Sequence, residues 1–222
     1  MKIVKTLITG LFLFMMLTGN YAQETYFDII LNYSPTNFNY GDSEALLKDY
    51  KKNLGGIQVG AGFQGGITKN FSLVSELYFM MKGAGLEAGN PLTTNESKIR
   101  LFTVEMPVLA RVHFRGIYLN AGPTLGYNIG GKVKVEGSEE VPREYYNISF
   151  DGSEGAYKRW DAGVQFGGGY EFKVKNTRVA IDARYQYGLT NVYQSGERYN
   201  RNFTWNITLS KAWKSNPLAK KQ

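Results

Sequence analysis

The sequence predicts an all-β protein: a transmembrane antiparallel up-and-down β-barrel of about eight strands, preceded by a cleaved signal peptide. Three observations predict this fold class. Strand-length segments alternate apolar and polar residues with a period of two. Short turns and long polar connections follow one another between these segments. Tyr (16), Phe (13) and Gly (26) are plentiful, whereas Pro (6) is scarce and Cys is absent.

The N-terminus has the features of a secretory signal. Lys2 and Lys5 precede an apolar stretch from residue 7 to residue 17, and small and polar residues follow as far as Ala22. This stretch is shorter than the roughly 20 apolar residues that a membrane-spanning helix needs. We therefore expect a cleaved signal peptide over residues 1–22, the barrel over 23–213, and a short basic periplasmic tail over 214–222.

The first three predicted strands run from Phe27 to Tyr33, from Gly55 to Ile67 and from Phe71 to Lys82, and their alternation is the weaker part of the pattern. The second of them is rich in glycine. In a small barrel, glycine eases tight bending and close approach of the backbone. Glu76 and Lys82 share the polar face of the third.

The remaining five predicted strands alternate more strictly. They run from Phe102 to Phe114, Ile117 to Ile129, Arg159 to Val174, Val179 to Leu189 and Phe203 to Trp213. In each of them aromatic and branched aliphatic residues occupy one face, and amides, hydroxyls and charges occupy the other. The total is about eight strands, the smallest number common in outer-membrane barrels.

The connections differ strongly in length. Short turns are predicted near Lys69, Arg115 and Asn176. Long polar connections are predicted at Pro35 to Leu54, which includes a brief helix at Ser43 to Lys52, at Gly83 to Lys98 and at Lys132 to Lys158, with a shorter one around Ser195. In outer-membrane barrels the short turns are periplasmic and the long loops extracellular, so we expect both termini on the periplasmic side.

Charges of both signs recur in the middle of the polar faces, and we expect them to point into the lumen. An interior of about eight strands is just wide enough for side chains, so a structural network of paired charges is favoured over a narrow path for ions or water. The predicted network consists of Glu76, Glu105, Arg111, Asp161, Glu171, Asp182 and Arg184.

A soluble barrel would invert these faces and place apolar residues inside. The export signal and the aromatic residues near the strand ends favour the membrane barrel, because aromatic girdles mark the two membrane interfaces. The predicted girdle consists of Tyr33, Trp160, Tyr187, Trp205 and Trp213. A soluble periplasmic ligand-binding barrel remains the alternative.

Two sets of stretches carry a family resemblance. Phe102-Thr-Val-Glu-Met-Pro-Val-Leu-Ala110 precedes Tyr118-Leu-Asn-Ala-Gly-Pro-Thr-Leu-Gly126. Later in the chain, Asp161-Ala-Gly163 and Gly167-Gly-Gly169 precede Ala183-Arg-Tyr-Gln-Tyr-Gly-Leu189. Together they resemble the PorT-like outer-membrane β-barrel family of Bacteroidota, which has the small-barrel architecture of OmpX and OmpA. One member of that family acts in type IX secretion. The resemblance implies a barrel scaffold and no particular activity.

The sequence predicts no catalytic, cofactor-binding or metal-binding residues. Gly60 to Gly65 matches a dinucleotide-binding fingerprint, but a strand follows where that fingerprint requires a helix. His113 is the only histidine, and its place beside the turn at Arg115 favours a hydrogen-bonding role in the lumen over acid–base catalysis. The net charge of +7 is scattered, unlike the clustered patch of a nucleic-acid-binding protein.

These features predict a non-enzymatic protein of the cell outer membrane that serves as an envelope scaffold or interaction module. Its partners would be outer-membrane lipids and lipopolysaccharide, the barrel-insertion machinery during assembly, and possible envelope or secretion-complex proteins, with no nucleic acid and no cofactor. The alternatives are a subunit of a type IX-like secretion or envelope complex, a lipid-modifying barrel enzyme, and the soluble ligand-binding barrel.

Overall fold

The computed structural model describes residues 25–92, 95–137 and 142–213. The predicted signal peptide, residues 1–22, and the predicted basic tail, residues 214–222, lie outside the described residues and stay predictions. In the described ranges, no helix has the length and apolar character needed to cross a membrane.

The described residues form nine strands and one short helix. The helix, α1, spans Glu44–Leu47 and is flanked by 3-10 turns at Gly41–Ser43 and Lys48–Tyr50. The strands are β1 (Thr25–Asn39), β2 (Lys51–Thr68), β3 (Phe71–Leu86), β4 (Ser97–Phe114), β5 (Ile117–Val135), β6 (Glu144–Asn147), β7 (Trp160–Val174), β8 (Thr177–Gly188) and β9 (Tyr199–Trp213).

Eight strands close into a barrel. Each pairs antiparallel with its neighbours, β1 pairs with β9, and β5 pairs with both β4 and β7. Closure leaves the barrel wall without a free edge, which satisfies the backbone hydrogen bonds as a lipid environment requires. The predicted eight-stranded antiparallel barrel is confirmed. The ninth strand, β6, was not predicted, and it pairs only with the far end of β5.

The barrel has two unlike ends. The turn end carries the tight connections at residues 69–70, 115–116 and 175–176, and the loop end carries α1, β6 and the long connections. At one tight turn Arg115 (φ 50°) and Gly116 (φ 91°) both adopt left-handed backbone conformations. This is the geometry of a two-residue hairpin turn whose twist matches the strands that it joins.

The strands reach further into the loop end than predicted. β1 continues to Asn39, β3 to Leu86 and β5 to Val135, so three of the predicted loops are shorter than expected. The predicted helix at Ser43 to Lys52 is also shorter, because Lys51 already begins β2. The cause is a reversal of polarity: beyond the apolar belt the alternation continues, but apolar residues now point inward and polar residues outward.

The two faces of the wall have opposite character. The outer face exposes a belt of large apolar side chains, of which Ile57, Ile29 and Leu119 are examples. The inner face buries amides, hydroxyls and charges, including Gln64, Asn128 and Thr103. A soluble barrel, the alternative left open above, needs the opposite arrangement.

Candidate functional site

The centre of the lumen is organised around Arg184 on β8. Its guanidinium donates to both carboxylate oxygens of Glu76 on β3, at 2.5 and 3.1 Å, and to both oxygens of Asp182, at 2.8 and 2.9 Å. All three side chains are buried. Two bidentate contacts hold the guanidinium, and the contact with Glu76 crosses the lumen between strands that are not neighbours.

Further donors complete the surroundings of these carboxylates. The Tyr118 hydroxyl donates to Asp182 at 2.6 Å, and the Asn206 amide donates to the other Asp182 oxygen. The Tyr78 hydroxyl donates to Glu76. A buried ion pair is tolerated only when the remaining lone pairs are also satisfied. Tyr118 was missed in the sequence analysis, although it shares a face with Asn120 on the same strand.

A second group of charges lies nearer the loop end. The Lys82 ammonium is fully buried and contacts Glu105 and Asp161, the latter at 3.0 Å. The Gln186 amide donates to Glu105 at 2.9 Å, and the Asn200 amide donates to Asp161 at 2.7 Å. One cation therefore serves two carboxylates from different strands. Each amide donates to the same oxygen that the ammonium contacts, and the other Asp161 oxygen accepts from the Thr190 hydroxyl at 3.2 Å.

A third group lies towards the turn end. Arg178 contacts Glu171 at 3.1 Å and donates to the Gln64 side-chain oxygen at 2.9 Å. Arg111 donates to the same Gln64 oxygen at 2.9 Å, and its guanidinium lies 4.1 Å from the ring centre of Tyr118. The predicted network residues thus fall into three groups stacked along the lumen, joined by neutral amides and by tyrosine rings.

His113 belongs to this third group, in an arrangement that resembles a catalytic triad. Its Nε2 lies 3.0 Å from the Ser72 hydroxyl, and its Nδ1 lies 3.3 Å from a carboxylate oxygen of Glu171. A nucleophile also needs open space about 3 Å away for the reacting carbon of a substrate. Ser72 is completely buried, and the Gln64 amide donates to the same hydroxyl at 3.2 Å.

The glycine-rich stretch in β2 serves the lumen, not a nucleotide. A Cβ atom added at Gly60 would lie 2.4 Å from the Tyr78 ring, and one added at Gly62 would lie 3.1 Å from the Glu76 side chain. Both distances are shorter than van der Waals contact. These glycines therefore leave the space into which the large side chains of β3 extend.

The loop end is closed by an apolar cluster that lies inside the wall, above the charges. Leu47 of α1 is 1% exposed within this cluster, whereas the adjacent Leu46 is 65% exposed. The cluster joins three barrel strands to the loops, because its buried members are Phe38, Tyr40, Leu47, Ala84, Leu86, Ile99, Leu101, Tyr157 and Val192.

Two ionisable loop side chains lie at the edge of this apolar cluster. Burial raises the pKa of Tyr40 to about 12. Burial also lowers the pKa of Arg198 to about 10. The Arg198 guanidinium lies 3.7 Å from the ring centre of Tyr193 and also contacts Tyr157. Stacking on aromatic faces accommodates this cation where no carboxylate partners it in the described loops.

The predicted girdle residues all lie on the outer face and are exposed. Tyr33 and Trp205 are register partners on β1 and β9, and beyond them the outward side chains of β1 change to Asn37 and Asn39. Trp160 packs against Tyr127 with ring centres 4.9 Å apart. Trp213 lies at the turn end beside Phe27, and Tyr187 lies near the loop end under Arg201. Their function as an interfacial girdle stays a proposal.

The described residues contain no group of three or more acidic or histidine side chains that could hold a metal ion.

The family model for the outer membrane protein beta-barrel domain matches residues 21–194. No curated protein matches the chain.

Solved outer-membrane barrels are similar to the chain at low sequence identity. The attachment invasion locus protein Ail of Yersinia pestis is 12% identical, with a TM-score of 0.43, and the match covers 86% of this chain and 100% of Ail. Neisserial surface protein A is 8% identical, with a TM-score of 0.44 and coverage of 87% and 99%. OprG of Pseudomonas aeruginosa is 9% identical, with a TM-score of 0.41 and coverage of 86% and 95%.

Proposed function

Since this chain belongs to the family of outer membrane protein beta-barrel domains, we propose that it is a non-enzymatic barrel with a filled lumen that acts through its loop end as an envelope scaffold or interaction module. It lies in the cell outer membrane. The observation that carries the proposal is the loop end itself, where the apolar cluster supports α1 and the far end of β5 holds β6 by strand pairing.

β6 is the strongest candidate for a contact surface on this platform. It pairs with β5 along one edge, and in the described ranges its other edge pairs with no strand. An exposed edge can accept a further strand from a partner through main-chain hydrogen bonds. Tyr145 on β6 is 61% exposed, and aromatic side chains of this kind are enriched in protein interfaces.

The filled lumen supports a role other than transport. Lys82, Glu105, Arg184 and Glu76 are buried and bridge different strands across the interior. We expect no resolvable single-channel currents from the purified protein in planar bilayers. Steady conductance would overturn the filled-lumen part of the proposal.

The experiment that tests the interaction role is site-specific photo-crosslinking in intact cells. A photo-crosslinking amino acid introduced at Tyr145 should capture a discrete partner. The same residue introduced at Tyr170, which is similarly exposed on the outer face near the turn end, serves as the matched control. Capture at neither position would contradict the proposal. Capture of envelope proteins only near the turn end would favour the alternative of a secretion-complex or envelope-complex subunit.

Orientation is tested separately by labelling single introduced cysteines. The chain has no cysteine of its own, so only the introduced residue can react. With the long loops extracellular, a membrane-impermeant maleimide should label Leu46→Cys on intact cells and should label Lys175→Cys only after the outer membrane is permeabilised. The reverse pattern would place the loop end in the periplasm. The narrower assignment to the PorT-like group stays a proposal that rests on the motifs around Pro107 and Pro123.

A further inference from the structure

Two cations face each other on the outer wall near the loop end. Arg100 on β4 and Lys132 on β5 are register partners, and both are exposed. Like charges directly opposite each other on neighbouring strands repel, and the arrangement is destabilising. Among the described residues no carboxylate forms an ion pair with either side chain, although Lys51, Lys52, Lys98, Lys134 and Arg143 at this end do have such partners.

The neighbouring pair of cations shows the contrast. Lys98 and Lys134 are also register partners on the same two strands. Lys98 lies 2.8 Å from Glu96, and Lys134 contacts Glu136, so each of these lysines has a carboxylate of the chain as counter-charge. Within the described residues, no carboxylate relieves the repulsion between Arg100 and Lys132, so an anion from outside the chain could do so.

The depth of this pair in the membrane indicates what that anion is. One step towards the turn end, the same outer face presents Phe102, followed by Val104 and Met106. On β5, Tyr127 is the register partner of Val104 and packs against Trp160. Aromatic residues of this kind mark the boundary between hydrocarbon and headgroups. Arg100 and Lys132 therefore lie just beyond that boundary, at the level of the lipid headgroups.

The surroundings of the pair are open and supply a third donor. Gly83 is the register partner of Arg100 on β3, so no side chain covers the guanidinium from that side. Asn147 on β6 is the register partner of Lys132 and is exposed. A planar guanidinium, an ammonium and an amide can together bind the oxygens of one phosphate group.

We propose that Arg100, Lys132 and Asn147 form a binding site for the phosphate of a phosphorylated lipid headgroup in the outer leaflet. The site rests on the proposed orientation, in which the long loops are extracellular. It gives a residue-level location to contact with anionic outer-membrane lipid, and it is separate from the protein-contact surface at Tyr145.

The test is a titration of the purified full chain, folded in a non-ionic detergent, with lipid A that carries two phosphates, and bound lipid is counted by native mass spectrometry. The variant Arg100→Gln/Lys132→Gln removes two charges from the site. Lys173→Gln/Lys175→Gln removes two exposed charges from the turn end and is the matched control. Mobility before and after boiling verifies that each variant is folded.

At about a fivefold contribution per cation near an anionic membrane surface, the site variant should bind lipid A roughly 30-fold more weakly, and the control should stay within about twofold of the wild type. Dephosphorylated lipid A should bind the wild type and the site variant equally. Equal affinity of the two proteins for phosphorylated lipid A would overturn the site. The detergent titration depends neither on orientation nor on a protein partner, so it reports failure of the site alone. Failure of the proposed function appears in the photo-crosslinking experiment, and a reversed orientation appears in the maleimide experiment.

Discussion

At the residue scale, the lumen shows how buried charge is made tolerable. Arg184 contacts every oxygen of two carboxylates, and hydroxyl and amide donors satisfy further lone pairs of the same oxygens. When one member of such a group is removed, the opposite charges stay buried without a partner in a medium of low dielectric constant. The buried groups therefore constrain one another, and no single residue can change alone without cost.

We expect Arg184→Met to lower the free energy of unfolding by about 3–5 kcal/mol, because Glu76 and Asp182 then stay buried without their cation. Lys173→Met is the control, since Lys173 is exposed near the turn end and forms no ion pair with the described residues. Unfolding in urea in the presence of lipid vesicles measures both variants. Equal losses in the two would contradict a stabilising role of the lumen network.

The contact of Ser72 with His113 is expected to be structural. A fluorophosphonate probe, which reacts with activated serines, should leave the folded protein unlabelled, because Ser72 is buried and the Gln64 amide also donates to its hydroxyl. The measurement is intact-protein mass spectrometry, with a serine esterase as positive control. Labelling that is lost in Ser72→Ala would instead support the lipid-modifying enzyme.

At the element scale, the loop end behaves as a small water-facing domain built on membrane strands. The inward side chains of β1, β3 and β4 change from polar to apolar above the charges, and α1 and the loops close over them. The strands therefore continue where the change of polarity resembled a loop. This apolar packing holds the long connections in a defined arrangement.

Leu47→Ala should loosen the packing of the long connections at the loop end. Removing a buried leucine side chain typically costs about 2–5 kcal/mol, and here the loss should be local to the loop end. Limited proteolysis of the folded protein should show faster cleavage between residues 40 and 50. Leu46→Ala is the matched control, because that leucine is exposed. Equal cleavage rates in the two variants would count against the cluster as the support of the loops.

The apolar cluster also predicts a pH dependence. Burial raises the pKa of Tyr40 from 10.0 to about 12. The contribution of the neutral Tyr40 side chain to the free energy of unfolding is therefore complete below pH 10 and is lost as the pH rises through 12. Absorbance at the phenolate band should show a transition near pH 12 that is absent from Tyr40→Phe. This variant should also fold at least as well as the wild type, because the Tyr40 hydroxyl has no hydrogen-bond partner among the described residues. If the transition that Tyr40→Phe removes lies near pH 10 instead, the burial of Tyr40 is contradicted.

At the scale of the whole molecule, the barrel inverts the usual distribution of side chains. Apolar side chains cover the outside, and polar side chains fill the inside. Such a barrel is stable only when lipid or detergent covers the outer face. Antiparallel closure supplies every wall strand with partners on both sides, so the fold depends on all eight strands together.

A charge on the lipid-facing belt should therefore be costly. Leu77→Arg should destabilise the folded barrel in vesicles by about 2–4 kcal/mol, as an arginine near the middle of the bilayer does. Leu92→Arg is the matched control, because Leu92 is 53% exposed in a loop and Leu77 is 54% exposed on the wall. The measurement is the midpoint of denaturant unfolding. Similar midpoints in the two variants would argue against contact between Leu77 and lipid.

The sequence by itself predicted the barrel, about eight wall strands and which mid-strand residues share a face. Shared faces follow from local alternation, because successive side chains of a strand point to opposite sides. The export signal and the aromatic residues near the strand ends favoured the apolar face as the outer one. The outward positions of Trp160 and Trp205, and the inward positions of Glu76 and Asp182, were predictable from these two kinds of signal together.

Only the tertiary structure decided which charges meet and where the strands end. The register across the closed barrel brings Arg184 to Glu76 and Lys82 to Asp161, and no local pattern encodes such distant pairs. It also creates the apolar cluster, in which Phe38, Leu47 and Val192 come together from three separate parts of the chain. Alternation records the face of a residue, whereas contacts between strands depend on how the whole sheet closes.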